Sequence, residues 1–321
     1  MATITEGMWT AEAIVSEAEN GRSRDAVTVL SGQNLVANSV VGKVTIAGIG
    51  RASVPAVVGT GNGAMSLVTA GADAQVGSYV VTCTAIATHG GTFSVVAPDG
   101  TALPSLTLTA STGATTAYAS SHINFSITDG STDFIVGDVF TIVVGTTAPT
   151  VLGGTGTGTI SALSLSEDAT TGTYIVINRE AITNGGRFEV IAPDGTSLGD
   201  NFLMSAGSGT ATAFTSRHIN FTLTDATDFI AGNYFNVAVY KPAAAAKAVA
   251  WDPTPSTWDG RQTPAGVLYA AVDASAADVV GVLLARDAQV NAAELQWLTG
   301  LTVAEKTIGK AGLAALGIIA R

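Results

Sequence analysis

The chain repeats itself at a spacing of 95 residues, and no other feature restricts its fold as tightly. Gly77-Ser78-Tyr79-Val80-Val81 opens a run that closes with GGTFSVVAPDG at Gly100. Gly172-Thr173-Tyr174-Ile175-Val176 opens a second run that closes with GGRFEVIAPDG at Gly195, and both ends keep the offset (172 − 77 = 95; 195 − 100 = 95). His122-Ile123-Asn124-Phe125 returns as His218-Ile219-Asn220-Phe221 at 218 − 122 = 96, which implies one inserted residue. Thr132-Asp133-Phe134-Ile135 returns as Thr227-Asp228-Phe229-Ile230, again at 95 (227 − 132). The glycine-rich leads VGTGNG (Val58 to Gly63) and GGTGTG (Gly153 to Gly158) correspond as well. Such regularity predicts two tandem copies of one small domain. Two copies are too few for a solenoid, so each is expected to bury its own core.

Each copy reads as strand and turn. Ile123, Phe125 and Ile127 alternate with Asn124, Ser126 and Thr128, and Ile219, Phe221 and Leu223 with Asn220, Thr222 and Thr224. That period of two sends one face to a core and one to water. Phe235, Val237 and Val239 follow the same rule. Pro-Asp-Gly at 98–100 and at 193–195 supplies a turn, because Pro fixes its φ and Gly accepts a positive one. Charged residues are only 12% of the chain and aromatics 6%, while Thr, Val and Gly are plentiful. This composition favours sheet over helix bundle. The expected unit is a β-sandwich, immunoglobulin-like, over residues 57–150 and again over 151–240.

The flanks differ. Residues 1–18 carry Met8, Trp9, Ile14 and Val15 among Glu, Thr and Ala with little pattern, and read as a flexible arm, with a short docked strand as the alternative. Strands follow at Ala26 to Leu30 and Ser39 to Ile46. Arg22 and Arg24 beside Asp25 stand out in a charge-poor region. They are either a surface ion pair worth under about 1 kcal/mol or a contact to an acidic neighbour. Lys241-Pro-Ala-Ala-Ala-Ala-Lys247 is a linker by composition. Val279 to Ala285 reads as a buried strand. Asn291 and Glu294, then Thr302 and Glu305, have the spacing of a helix N-cap and its reciprocal partner. Ala304, Ile308, Ala311 and Ala315 recur at helical spacing, and Gly317 stands where a left-handed cap is wanted. One or two C-terminal helices are expected.

Three blocks of these flanks, Glu19 to Thr45, Ala248 to Asp278 and Val279 to Arg321, together resemble the lambda-type head decoration (capsid cement) proteins of tailed bacteriophages. The resemblance implies a mainly β protein. A small discontinuous decoration domain of residues 19–56 and 241–321 would carry the repeat pair inserted in one of its loops. It implies a homotrimer on the outer surface of the expanded virion head, bound to the major capsid protein lattice and stabilising it against internal DNA pressure. Assembly would take place in the host cytoplasm. It implies further that the N-terminal arm, with Thr3, Ile4, Thr5, Met8 and Trp9, reaches onto the shell by strand addition. Five or six hydrogen bonds at about 0.5–1.5 kcal/mol each make one arm weak, and three arms strong together. Arg22, Arg24 and Asp25 would touch the capsid or a neighbouring subunit. Trp251, Trp258 and Trp297 are expected in core or trimer packing. The alternative function is a virion-surface adhesin whose repeats hold host-cell glycans.

Other chemistry finds little support. A net charge of −11 with no Lys/Arg cluster argues against nucleic acid. The N-terminus, with Glu6, Glu12 and Glu17, lacks a secretory pattern, and no run approaches the roughly 18 apolar residues of a membrane span. Cys83, alone in an apolar strand pattern, reads as a small buried hydrophobe. His89, His122 and His218 show no metal-ligand spacing, and the latter two read as strand-edge packing. Asp129, Asp133 and Asp138, matched in part by Asp225 and Asp228, fit no calcium loop. No nucleophile elbow, phosphate loop or carboxylate pair marks an enzyme, and no cofactor or metal is expected.

Overall fold

The computed structural model describes residues 9–108, 111, 113–204, 210–243 and 245–321. The chain divides into two compact units, Met1–Thr45 with Ala245–Arg321, and Ile46–Ala244.

The first unit is built on a closed five-stranded barrel. Around it run Arg24–Val29, Lys247–Ala250, Val40–Val44, Pro264–Leu268 and Val279–Leu284, the last pairing back onto the first. Two strands thus precede the long intervening segment and three follow it. Val44 pairs with Lys247 and Val41 with Ala250, antiparallel. Val27, Val29, Val41, Ala248, Leu268 and Leu283 fill the barrel. A second cluster, with Val40, Trp251, Val267, Leu284, Val290, Leu295 and Leu313, joins it to a three-stranded sheet of Ile14–Glu17, Ala288–Val290 and Ile318–Ala320.

Among the described residues, besides a 3-10 turn at Glu19–Gly21, one α-helix forms, Val303–Ala315. Its start is the expected reciprocal cap: the Glu305 amide donates to Thr302 Oγ1 at 3.3 Å, and the Thr302 amide to Glu305 Oε2 at 2.7 Å. Its end is Gly317 at φ +80°. The similar spacing at Asn291 and Glu294 yields turns instead. Asn291 Oδ1 accepts from the Ala293 amide, but two residues past Glu294 the backbone is already engaged elsewhere. The Gln296 amide donates to Asn38 O at 3.0 Å and its carbonyl accepts from Val40 at 2.9 Å, bonds an extended chain can make and a helix cannot. The helix also turns an unexpected face inward. Gly309 and Leu313 are buried, whereas Ala304, Ile308, Ala311 and Ala315 are exposed. Trp251 and Trp297 pack edge to face at 5.5 Å beneath Gly309, where a Cβ would lie 2.4 Å from the Trp297 ring. Only glycine permits that approach.

In the second unit one sheet runs through both repeats. Its order is Ala102–Leu108, Gly90–Val96, Gly77–Ala87, Val139–Gly145, Gly48–Ala52, Tyr234–Tyr240, Gly172–Ile182, Gly185–Ile191 and Ser197–Met204. Gly48–Ala52, expected in the decoration domain, is thus the middle strand here. Each repeat adds a three-stranded sheet: Thr115–Tyr118, Ile123–Thr128 and Ala64–Ala70 in the first, Thr159–Leu165, Ile219–Thr224 and Ala211–Phe214 in the second. Between the layers lie two aromatic cores, one around Tyr79, Phe93, Phe134 and Phe140, the other around Tyr174, Phe188, Phe229 and Phe235. They are not wholly separate, because Ala238 and Tyr240 of the second copy join the first core. The glycine-rich leads have a packing reason: a Cβ on Gly63 or Gly158 would lie 2.2 Å or 2.0 Å from the ring tip of Phe134 or Phe229.

Gly309→Val should therefore lower the stability of the first unit by about 1–3 kcal/mol through overpacking. Ile308→Ala, one residue away on the outer face, should change monomer stability by less than about 0.5 kcal/mol. Urea unfolding of both variants, followed by tryptophan fluorescence, measures the contrast, since all four tryptophans lie outside the repeats.

Candidate functional site

Among its described residues the first unit carries open depressions and exposed apolar side chains. Thr3, Ile4, Thr5 and Met8 fall outside the described residues. Trp9 is 64% exposed, and its amide donates to Glu12 Oε2 at 2.9 Å. Docking begins just after it. The Ala11 amide donates to Tyr269 O at 2.9 Å, Ala13 is fully buried, and Ile14–Glu17 pairs antiparallel with Ala288–Val290. Over residues 11–17 the chain follows the docked-strand alternative.

Arg22, Arg24 and Asp25 lie where this segment meets the barrel. Arg24 Nε donates to Glu17 Oε2 at 2.8 Å, and its guanidinium sits 4.2 Å from the centre of the Tyr269 ring. The Glu17 hydrogen bond holds the Arg24 pKa above its ordinary value, against the opposing effect of burial. Arg286 pairs with Asp25 and donates through Nη1 to Arg22 O at 2.9 Å. Beneath them the buried Ser23 hydroxyl donates to Asp287 O at 2.8 Å and accepts from the Ala18 amide at 2.9 Å. Arg24 and Asp25 are thus engaged within the chain, while Arg22 remains exposed on the rim of an open depression that Ala18 and Asp287 also line.

The tryptophans separate. Trp251 is 1% exposed, and its Nε1 donates to Gln262 O at 2.9 Å, so it is core. Trp297 packs on it from a half-buried position, and Trp258 is half-buried next to Asp259, which takes the Arg261 guanidinium on both oxygens.

Two apolar strips face outward. On the helix and the strand after it, Val303 is 83%, Ile308 60% and Ile319 41% exposed. On the barrel, the strand Val279–Leu284 alternates: Val280 and Val282 point out while Gly281, Leu283 and Leu284 are buried. The uniform apolar run therefore conceals a half-exposed strand. Its period-two signal was masked because both faces carry Val or Leu.

In the repeats, Tyr79 hydroxyl meets His122 Nδ1 at 3.2 Å and Tyr174 meets His218 at 3.3 Å, equivalent pairs at the strand edge. Burial pushes the Tyr79 phenol up to about 12. Cys83 is buried, which raises its thiol pKa. Among the acidic residues, Asp129 and Asp133 converge on His89, but Asp138 does not. Its carboxylate accepts from the amides of Thr60 at 2.8 Å, Gly61 at 2.9 Å and Ile135 at 3.0 Å, fastening the glycine-rich lead to the core. Burial pushes its pKa up, yet these three amides outweigh burial and hold it below the usual carboxylate value.

A closed barrel, a docked N-terminal strand and outward apolar strips describe a β-rich protein that presents surfaces for contact. The chain matches, over residues 3–318, the family described as bacteriophage lambda head decoration protein D, and it belongs to that family. No match was found among curated proteins or among solved structures. Family membership carries a role in capsid decoration and a place on the virion. Among the described residues no helix is long and apolar enough to cross a membrane.

Asp138→Ala should cost about 1–3 kcal/mol at pH 7 by orphaning the buried Gly61 amide and the partly buried amides of Thr60 and Ile135. Because the folded pKa is depressed, the ionised carboxylate's contribution is present above the unfolded value of about 3.9 and is lost as pH falls through the folded value. Denaturation midpoints of wild type and variant should differ at pH 7 and approach one another as pH falls through the folded value.

Proposed function

We propose that this protein is a non-enzymatic cement protein that binds the outer surface of the expanded phage head as a homotrimer. The observation that carries the reading is the family match, together with the folding of both chain ends into one barrel. The decoration unit is assigned to Met1–Thr45 and Ala245–Arg321, and the repeat pair to the segment between them. The two apolar strips supply area for contacts between subunits and with the shell, since surfaces of this kind mark association. Residues before Ala11, led by Trp9, add backbone pairing at the shell. A protein that binds only the expanded lattice stabilises that state by mass action and so resists internal DNA pressure.

The acidic repeat pair would project away from the shell. Glycan binding there has less support: a sugar platform commonly uses exposed aromatic faces, and no tryptophan occurs between Ile46 and Ala244.

Deleting residues 2–8, which spares the docked strand, should leave the oligomer folded while weakening its retention on expanded capsids. Sedimentation velocity should report a trimer for both forms. Co-sedimentation with emptied, expanded heads should show the truncated form washing off first. Equal retention would make the arm a passenger, and a monomeric wild type would remove the trimer.

A further inference from the structure

Two aspartates, one in each repeat, are buried without a well-formed hydrogen bond. Asp129 follows the strand Ile123–Thr128; its side chain is fully buried, and neither carboxylate oxygen makes a hydrogen bond. Asp225 follows Ile219–Thr224 and is 2% exposed; its carboxylate makes no well-formed hydrogen bond, and burial raises its pKa against the weaker opposing effect of the Ala226 amide. A buried carboxylate without a well-placed donor is expensive to keep, and its recurrence in both copies argues against accident.

What faces the first aspartate is specific. His89 sits on the tight turn between Gly77–Ala87 and Gly90–Val96 at φ +55°. Its Nδ1 is 3.3 Å from Asp129 Oδ2 and 3.3 Å from Asp133 Oδ1. The three donor atoms lie within 4.8 Å of one another. The His89 amide also donates to Asp133 Oδ1 at 3.0 Å, which fixes that carboxylate. The second copy keeps this frame and changes one ligand. Asn184 takes the place of His89 (184 − 89 = 95) at φ +54°, and its amide donates to Asp228 Oδ1 at 2.8 Å. A protonated imidazole would answer the carboxylates of the first copy. It does not account for the second, where asparagine carries no charge. What the two copies share is a buried carboxylate, and only the first copy sets a nitrogen donor against it.

We propose that His89 Nδ1, Asp129 Oδ2 and Asp133 Oδ1 hold a divalent transition-metal ion of the zinc class. Tetrahedral bonds of about 2.0–2.1 Å place ligand atoms about 3.3 Å apart, the spacing His89 keeps to each carboxylate. Calcium wants six to eight oxygens and magnesium an octahedron of them, so a nitrogen donor among only three ligands fits neither. His89 Nδ1 and both Asp129 oxygens are buried, while the His89 and Asp133 side chains are 38% and 42% exposed, so the ion would enter from the Asp133 side as the imidazole shifts. Bound there, the metal ties the hairpin turn at His89 to the loop 129–133. The second copy, without the nitrogen, holds zinc more weakly.

The test uses untagged full-length protein stripped with EDTA, titrated calorimetrically with zinc chloride and scanned for thermal unfolding with zinc, calcium or magnesium. One zinc per chain is expected, with a rise in Tm that calcium and magnesium do not reproduce. Asp129→Asn and His89→Asn should each weaken zinc binding by at least about tenfold. His89→Asn copies the natural second repeat, so its folding is safe. Asn184→His should raise the stoichiometry from one to two. The proposal fails if zinc leaves Tm unchanged, if His89→Asn binds as tightly as wild type, or if Asp225→Asn rather than Asp129→Asn abolishes binding. A His89 imidazole that NMR finds protonated at pH 7 and unresponsive to zinc would establish the ion pair instead.

Discussion

The antiparallel pairing of Val40–Val44 with Lys247–Ala250 is the contact on which the first unit depends. Without it the barrel has an open seam, because Lys247–Ala250 is also the link to Arg24–Val29, through the parallel pairing of Val29 with Ala248. The strands come from opposite sides of the long intervening segment, and closing a flexible loop costs entropy that grows with its length, though slowly. The described residues of the intervening segment are folded mainly into sheet. Its own first and last strands pair, with Gly48 opposite Tyr240 and Ile49 opposite Val239. Once that segment has folded, the effective loop is short, and the small barrel closes at little more cost than a hairpin would incur.

The same device explains how a duplicated domain avoids two sticky edges. Val139–Gly145 and Tyr234–Tyr240 occupy matching places in the sequence repeat, and on one side each is paired by its own copy only at its first end, by Val57–Val58 and by Leu152. Both also pair with Gly48–Ala52, one on each side of it. Gly48–Ala52 thus completes edges that the copies themselves cover only in part, and an open edge invites aggregation. Arrangement around one strand cannot be perfectly symmetric, and Tyr240 accordingly reaches into the first core.

Local signals were legible and tertiary ones were not. The cap of Thr302 and Glu305, the left-handed Gly317 and the alternation at Ile123–Thr128 depend on neighbours within a few residues, and each is found where the spacing puts it. Asn291 and Glu294 carry the same local signal and lose to the backbone bonds that Gln296 makes with Asn38 and Val40. Ile14–Glu17 has too short a pattern to announce a strand; its partner Ala288–Val290 supplies the order. The acidic group was half visible. Asp129 and Asp133 could be read from their loop, but Asp138 belongs to the amides of the glycine-rich lead and His89 replaces it from a distant turn. Aligning the two copies at His89 and Asn184 was the one signal that would have found it.

The orientation of the helix bears on why this surface exists. Its more apolar face, with Val303 and Ile308, would bury more hydrocarbon than the face with Gly309 and Gly312 that the fold turns inward. The inward choice follows from shape. Trp251 and Trp297 already fill the space below, and Pro264 approaches within 2.6 Å of where a Gly312 Cβ would stand. Glycine lets the helix backbone lie against these rings, and dispersion contacts replace the transfer energy forgone. The remaining apolar face is then left to water. In isolation that is a liability for solubility with no return in stability, whereas in a capsid decoration protein such a face is available for contact.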